Sequence, residues 1–133
     1  EGRFQPVIPD ASVRAENVRR VVLVSGRLYY DLVARRAKEG DESTAIVRVE
    51  QLYPLPADEI KEQLAQYPDA EVVWAQDEPA NQGPWPFMAL NLVPQLDREV
   101  TLASRPALAA TSAGTKGRHD EEAEVLQKAV FGL

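Results

Sequence analysis

Polar and charged side chains follow each of four apolar runs that have the pattern of buried strands. Free amides at a helix start and the forked guanidinium groups of arginine are groups that hold phosphates in proteins. Because the carboxyl ends of parallel strands meet at one edge of a sheet, the pattern predicts a ligand site there that suits a phosphate. The groups after the four runs are Ser25-Gly26-Arg27, Arg48 with Glu50-Gln51, Gln76-Asp77-Glu78, and Ser104-Arg105.

The same residues also have a purely structural explanation. Ser25 would be the N-cap of the helix that follows it, and Gly26 would form a tight turn. The arginines would pair with Glu50, Asp77 and Glu78 across the loops. The sequence leaves both explanations open, and under the second one this edge of the sheet binds no ligand.

The usual motifs of catalysis, nucleotide binding and metal binding are absent from the sequence. It contains no Gly-x-Gly-x-x-Gly, no Walker loop, no His-Glu-x-x-His and no EF-hand loop. A serine triad through Ser104 or Ser112 lacks the Gly-x-Ser-x-Gly elbow. The single histidine, His119, precedes an acidic helix start, where a structural role is the more common one. We therefore predict no catalytic residue and no metal ligand in this chain.

Composition narrows the class of protein. A length of 133 residues suits a single domain, and 44% hydrophobic with 27% charged residues is typical of a globular fold. The formal net charge of -6 disfavours nucleic acid as a partner. The sequence has no cysteine and no apolar stretch long enough for a membrane span. We expect a cytoplasmic protein without a membrane partner, and the absence of an initial methionine suggests a segment of a longer chain.

Strand and helix patterns alternate along the chain. Short β-branched runs predict strands, and apolar residues at three- and four-residue spacing predict helices. Strands are predicted at 20–25, 44–50, 71–76 and 99–104, and helices at 27–38, 56–64, 86–96 and 121–131, the last burying Leu126, Ala129 and Val130. The alternation predicts one α/β domain over residues 1–133, with three α/β/α layers and a mostly parallel sheet. Residues 20–133 form its core, and residues 1–19 are a lead-in whose segment from Arg3 to Ile8 could add an edge strand.

Four segments resemble, in the same order, the motifs of one protein family. Ser25 to Leu32 (SGRLYYDL) resembles Ser-Gly-Lys/Arg-x-Tyr-Tyr, and Ile46 to Pro54 (IVRVEQLYP) resembles Arg-x-Glu-Gln-Leu-x-Pro. Gln76 to Trp85 (QDEPANQGPW) resembles a Gln-Glu-Glu-Pro-x-Asn-x-Gly-x-Trp loop, and Arg105 to His119 resembles a closing Gly-rich segment. By these motifs the chain resembles the C-terminal domain of 2-oxoglutarate dehydrogenase first components. The Asn-Gln-Gly sequence favours the actinobacterial multifunctional form.

The resemblance implies a transketolase C-terminal-like fold, which has a mixed sheet with one antiparallel strand. In the family this domain supports a homodimer and covers the neighbouring thiamine-binding domains, and the expected interface loop carries Glu78, Asn81, Gln82 and Trp85. The parent enzyme decarboxylates 2-oxoglutarate on thiamine diphosphate with magnesium, and it passes the succinyl group to the lipoyl arm of dihydrolipoyl succinyltransferase. Its thiamine motif and catalytic histidines belong to earlier domains. The resemblance therefore implies a domain that binds no cofactor and is inactive alone.

Family members bind acetyl-CoA or AMP as activators beside this domain, so the resemblance extends the predicted phosphate site to those ligands. The candidate residues of this allosteric site are Arg3, Ser25, Arg27, Arg48 and Gln51. Two positions depart from the family pattern: Asp77 replaces the usual Glu, and Thr111-Ser112 stands where Ser-Pro is usual, which leaves the conformation of the second loop open. The alternatives are a stand-alone nucleotide-sensing module and an interaction domain whose arginines are salt-bridged.

Overall fold

The structure, a computed structural model, describes residues 4–105 and 116–133, with side chains of the second stretch described from Asp120 onward. Arg3, Thr111, Ser112 and the side chain of His119 lie outside the described part, so the predictions made for them stay predictions. The strands are β1 (Val7–Ile8), β2 (Arg20–Val24), β3 (Thr44–Val49), β4 (Glu71–Pro79) and β5 (Val100–Arg105). The helices are α1 (Leu28–Glu39), α2 (Ala57–Ala65), α3 (Trp85–Asn91) and α4 (Lys116–Phe131), with short 3₁₀ turns at Ala15–Asn17 and Val93–Gln95.

The strands form one mixed sheet in the order β1-β3-β2-β4-β5. The four longer strands are parallel, and Val22 of β2 lies between Ile46 of β3 and Val73 of β4. The short β1 runs antiparallel to β3, with Val7 opposite Val49. The predictions of a mostly parallel sheet and of one antiparallel strand are confirmed.

Helices cover both faces of this sheet because successive strand residues point to opposite sides. The face that carries Leu23 and Trp74 packs against α2 and α3, whereas the face that carries Val22 and Ala75 packs against α1 and α4. Each helix region contributes a buried pair one turn apart, and in α3 the second member is the residue just after the helix end. Each such side chain stabilises the fold by about 1.5–3 kcal/mol. These pairs are Leu28 with Leu32, Ile60 with Leu64, Met88 with Leu92, and Leu126 with Val130. Within the described stretches, no helix is long and apolar enough to cross a membrane.

Two of the helices differ from their prediction. The third helix ends at Asn91, and a 3₁₀ turn follows, because Pro94 has no N–H to continue the α-helical ladder. In α4, Ala129 is exposed and Phe131 is buried in its place. The buried face of α4 therefore extends toward Phe131 and not toward Ala129.

The start of α1 also differs from the expectation that Ser25 caps this helix. Arg27, not Ser25, occupies the N-cap position, and no side chain caps this helix start. Gly26 has a φ of 74°, which a glycine adopts at little cost, so the tight turn after β2 is present.

Candidate functional site

A crevice opens between β2 and β4 at the carboxyl end of the sheet. The connection from β2 runs across one face to β3, and the connection from β4 runs across the other face to β5. Ligands of open α/β sheets bind where two connections diverge in this way. The crevice has a volume of about 260 Å³ and is lined by residues 25–28, residues 74–78 and Pro84.

Negative charge predominates in this crevice. Arg27 lines it and has no ion-pair partner among the residues that the structure describes. Asp77 and Glu78 line the same space, and an adjoining hollow of about 380 Å³ shares Arg27 and Asp77 and adds Asp31. Arg105 pairs with Asp77, so three carboxylates stand against two guanidinium groups around the crevice and the hollow, and the excess of negative charge disfavours a phosphate.

Arg48 lies beyond the crevice, at the end of β3, on two aromatic rings. Its guanidinium carbon is 4.4 Å from the ring centroid of Tyr29 and 5.3 Å from that of Tyr30, and Nη2 donates to the Tyr30 hydroxyl at 3.4 Å. Its Nε is 3.3 Å from Glu50 Oε2 but is buried without a hydrogen bond. Stacking thus fixes the plane of a guanidinium group whose hydrogen-bonding capacity is not fully used.

Arg105 is held by two acidic residues. Its Nη2 is 3.0 Å from Asp77 Oδ1, and its Nη1 is 3.7 Å from Glu122 Oε1. The side chains of Arg105 and Glu122 are only 11% and 12% exposed, so this contact ties the end of β5 to α4. The predicted pairings of the arginines with Glu50 and Asp77 are thus present, whereas Glu78 is not the partner of Arg105.

Gln76 organises the interface loop, defined here as residues 77–85, of which the first three end β4 and the last begins α3. The side chain is 3% exposed, and its Oε1 accepts hydrogen bonds from Trp74 Nε1 at 3.0 Å and from the Trp85 amide at 2.7 Å. Its Nε2 lies 3.1, 2.8 and 2.8 Å from the carbonyl oxygens of Glu78, Pro79 and Gln82. One buried amide therefore closes the loop on itself.

The predicted allosteric residues do not form a single cluster. Ser25 and Arg27 line the crevice between β2 and β4, and Arg48 lies with Tyr29 and Tyr30. Gln51 donates from Nε2 to the Pro54 carbonyl at 2.9 Å and so closes the turn before α2.

The predicted interface loop is arranged around Gln76. Glu78, Asn81 and Gln82 are exposed, and Trp85 packs partly against the core. Sequence reasoning placed Gln76 among the groups of the predicted ligand site and did not predict that it organises the loop. The sequence feature that could have identified this role is a polar residue two positions after Trp74, on the same buried face of the strand.

Two carboxylates with lowered pKa values are held by structural partners. Burial raises the pKa of Asp41, but hydrogen bonds from Thr44 and Ser43 outweigh it and lower the pKa below its usual value. A hydrogen bond from Arg35 lowers the pKa of Glu124 and links α1 to α4. Among the residues that the structure describes, no three acidic, histidine or cysteine side chains are grouped so that they could hold a metal ion.

The chain is similar in sequence to several 2-oxoglutarate dehydrogenase components. It is 40% identical over 98% of its length to a 2-oxoglutarate dehydrogenase E1 component of Cupriavidus necator, covering 14% of that protein. It is 45% identical over 96% of its length to a 2-oxoglutarate dehydrogenase E1/E2 component of Corynebacterium glutamicum, covering 11% of it. A multifunctional 2-oxoglutarate metabolism enzyme of Mycolicibacterium vanbaalenii is 39% identical over 96% of the chain, which covers 11% of that enzyme. The chain thus spans only about a seventh or less of these relatives.

The fold has a counterpart among solved structures. A split-gene transketolase, described as an inactive β4 tetramer, superposes with a TM-score of 0.59 at 15% identity, over 97% of this chain and 43% of that one. At this identity the likeness concerns the fold alone, and it confirms the transketolase C-terminal-like architecture. The family 2-oxoglutarate dehydrogenase C-terminal matches residues 1–131, and the chain belongs to that family.

Proposed function

We propose that the chain is the non-catalytic C-terminal part of a thiamine-dependent 2-oxoglutarate dehydrogenase first component. In this role it supports a cytoplasmic homodimer and borders the thiamine-binding domains, and the assembled enzyme delivers succinyl groups to dihydrolipoyl succinyltransferase. Support comes from the family membership and from the names of the similar E1 components.

The proposal assigns thiamine diphosphate and magnesium to the preceding domains. A magnesium–diphosphate group needs oxygen ligands from carboxylates or carbonyls together with a phosphate-binding surface. The described residues offer no metal-binding group of acidic side chains, and the crevice carboxylates Asp77 and Glu78 repel a diphosphate. The residues that the structure describes therefore do not fit this cofactor.

We further propose that Arg48 binds a phosphate of an adenine-nucleotide activator, acetyl-CoA or AMP. The observation that carries the proposal is the guanidinium group of Arg48, which lies over the Tyr29 ring at the end of β3 with 23% of its side chain exposed. The Tyr30 ring beside it is 60% exposed and offers a stacking surface for a base. Arg27 is a weaker candidate because it shares its crevice with carboxylates, and Arg105 is already held by Asp77 and Glu122.

Arg48→Ala in the longer parent enzyme tests this proposal. A charged hydrogen bond to phosphate contributes about 1.5–3 kcal/mol, so the half-saturating activator concentration should rise roughly ten- to a hundredfold while turnover without activator stays near normal. Arg48→Lys keeps the charge and loses the fork, and it should give an intermediate shift. Arg14→Ala is the matched control, because Arg14 is exposed and makes only a long ion pair, with its Nη1 3.9 Å from Glu16 Oε2. A lower melting temperature with an unchanged activation curve would show that Arg48 only braces Glu50.

The second candidate function is a pure interaction domain, in which the arginines of this edge are structural. The ion pairs of Arg48 with Glu50 and of Arg105 with Asp77 favour it. A stand-alone nucleotide-sensing module is the third candidate. The activator titration distinguishes both candidates from an allosteric site in the parent enzyme. In an interaction domain, Arg48→Ala would leave the half-saturating activator concentration unchanged. A stand-alone module would bind the nucleotide without any thiamine enzyme attached.

A further inference from the structure

Arg48 and Glu50 lie side by side at the carboxyl end of β3. Side chains two positions apart in an extended strand point to the same face of the sheet, and for these two it is the face that α1 and α4 cover, together with Ile46. Glu50 follows the last residue of β3, and its amide donates to the Pro6 carbonyl at 2.8 Å. The backbone of Glu50 is therefore fixed, and only its side chain is free to move relative to Arg48.

The ion pair between these two side chains is loose. Arg48 Nε is 3.3 Å from Glu50 Oε2, and within the part of the chain that the structure describes this N–H makes no hydrogen bond. Well-aligned guanidinium–carboxylate hydrogen bonds are shorter, about 2.7–2.9 Å. The side chains of Arg48 and Glu50 are 23% and 28% exposed, so solvent screens the pair, and it contributes little to stability. The carboxylate can therefore leave the guanidinium group by a side-chain rotation that leaves β3 intact.

Arg48 has other contacts that hold it when Glu50 leaves. Its guanidinium carbon lies 4.4 Å from the ring centroid of Tyr29 and 5.3 Å from that of Tyr30, in the first turn of α1. Its Nη2 also donates to the Tyr30 hydroxyl at 3.4 Å. Because these contacts do not involve the carboxylate, the cation keeps its position while the anion beside it is exchanged.

We propose that Glu50 is an intramolecular competitor for Arg48, which the phosphate of an adenine nucleotide displaces when it binds. The inference rests on the proposed function, in which that phosphate binds Arg48. A carboxylate 3.3 Å from the guanidinium group occupies a position that a phosphate oxygen would take, and two anions at this distance repel each other. Glu50 thus raises the nucleotide concentration that the site requires.

Glu50→Gln in the parent enzyme tests this competition, with AMP as the ligand. The substitution removes the charge and keeps the shape of the side chain, so the half-saturating AMP concentration should fall roughly three- to tenfold. A purely structural role for Glu50 would not produce tighter binding when the carboxylate is removed. Glu42→Gln is the matched control, because it removes the same charge at an exposed position before the amino end of β3, and it should leave the AMP concentration unchanged.

The double variant Arg48→Ala/Glu50→Gln separates competition from general repulsion. If Glu50 acts by occupying Arg48, the gain from Glu50→Gln should disappear once Arg48 is absent. An unchanged half-saturating concentration in Glu50→Gln would overturn the inference, and so would the same fold decrease with and without Arg48. In both cases the proposed activator site stands as long as Arg48→Ala alone still weakens AMP. If Arg48→Ala alone has no effect, the phosphate does not bind Arg48, and the activator site fails together with the inference.

Discussion

Asp10 and Arg36 form an ion pair that closes the lead-in over the edge of the sheet. The Asp10 carboxylate accepts from Arg36 Nη1 and also from the Ile46 amide at 2.8 Å. It accepts from the Ser12 amide and hydroxyl at 3.0 and 2.6 Å as well. β1 pairs with β3 only at Val49 and Arg48, so no strand reaches the Ile46 amide at this edge of the sheet. The Asp10 carboxylate accepts its hydrogen bond instead.

Asp10→Ala should destabilise the protein by about 3 kcal/mol, since it leaves a guanidinium group and an amide without their acceptor in a site where the Asp10 side chain is 6% exposed. For a chain of this size the melting temperature should fall by roughly 10 °C. Asp10→Asn keeps one acceptor oxygen and should lose less. Equal melting temperatures for wild type and Asp10→Ala would show that Asp10 does not stabilise this edge of the sheet.

The stability difference between wild type and Asp10→Asn should depend on pH in one direction. Burial raises the pKa of Asp10, but hydrogen bonds from Ser12, Arg36 and the Ile46 amide outweigh it and hold the pKa below the usual 3.8. A lowered folded-state pKa adds stability that is complete above the unfolded value and is lost as pH falls through the folded one. Urea unfolding should therefore give a constant difference above about pH 5 that shrinks below pH 4. A difference that grows on acidification would rule this account out.

The layers and the parallel strands follow from local sequence, because β-branched runs end at glycine or polar residues and alternate with helical spacing. The order of the strands in the sheet does not follow from local sequence. Whether β4 pairs with β2 or with β3 depends on non-local packing, such as Val73 opposite Val22, that no short window of sequence contains. The end of α3 could have been predicted from Pro94, whose missing N–H interrupts a helix.

The candidate site was predicted at the carboxyl ends of the strands, but the contacts of its residues depend on tertiary structure. Arg48 and Tyr29 are far apart in sequence and meet only because α1 crosses over β3. The separation of Arg27 from Arg48 likewise depends on the order β3-β2-β4, which sets them on different sides of β2. Sequence alone therefore grouped residues that the fold divides.

Arg98→Met should destabilise the fold by about 2 kcal/mol. The guanidinium group donates to the carbonyl oxygens of Leu64, Tyr67 and Ala70 at 2.8, 2.6 and 2.5 Å, and it thereby closes the carboxyl end of α2. Arg98→Lys retains the charge that favours a helix C-terminus but cannot reach all three oxygens, so its loss should be about half. Chemical denaturation of the three proteins gives the comparison, and an unchanged midpoint in Arg98→Met would show that water replaces the donor at no cost.

The isolated 133-residue chain should bind no thiamine diphosphate in the presence of magnesium. The proposal assigns this cofactor to other domains, and the carboxylates of the crevice oppose a diphosphate. Titration calorimetry should show no heat of binding up to millimolar ligand, while the longer parent binds under the same conditions. Micromolar binding by the isolated chain would refute the assignment of thiamine diphosphate to the other domains.

Gly83→Ala should destabilise the protein more than Gly40→Ala, although both glycines have a φ of 64°. A left-handed alanine costs about 1 kcal/mol at either position, but an added Cβ has open space at Gly40, whereas at Gly83 it meets Glu78 Oε1 at 2.7 Å and Glu78 Cβ at 3.0 Å. The excess at Gly83 should be about 0.5–1 kcal/mol, because the carboxylate end can swing away while its Cβ is fixed to the strand. Adding Glu78→Ala to Gly83→Ala shortens that side chain and should recover part of the excess, so the two changes should not be additive. Melting temperatures of the three single variants and the double variant measure the coupling. Strict additivity would mean that Glu78 does not cover the loop in solution.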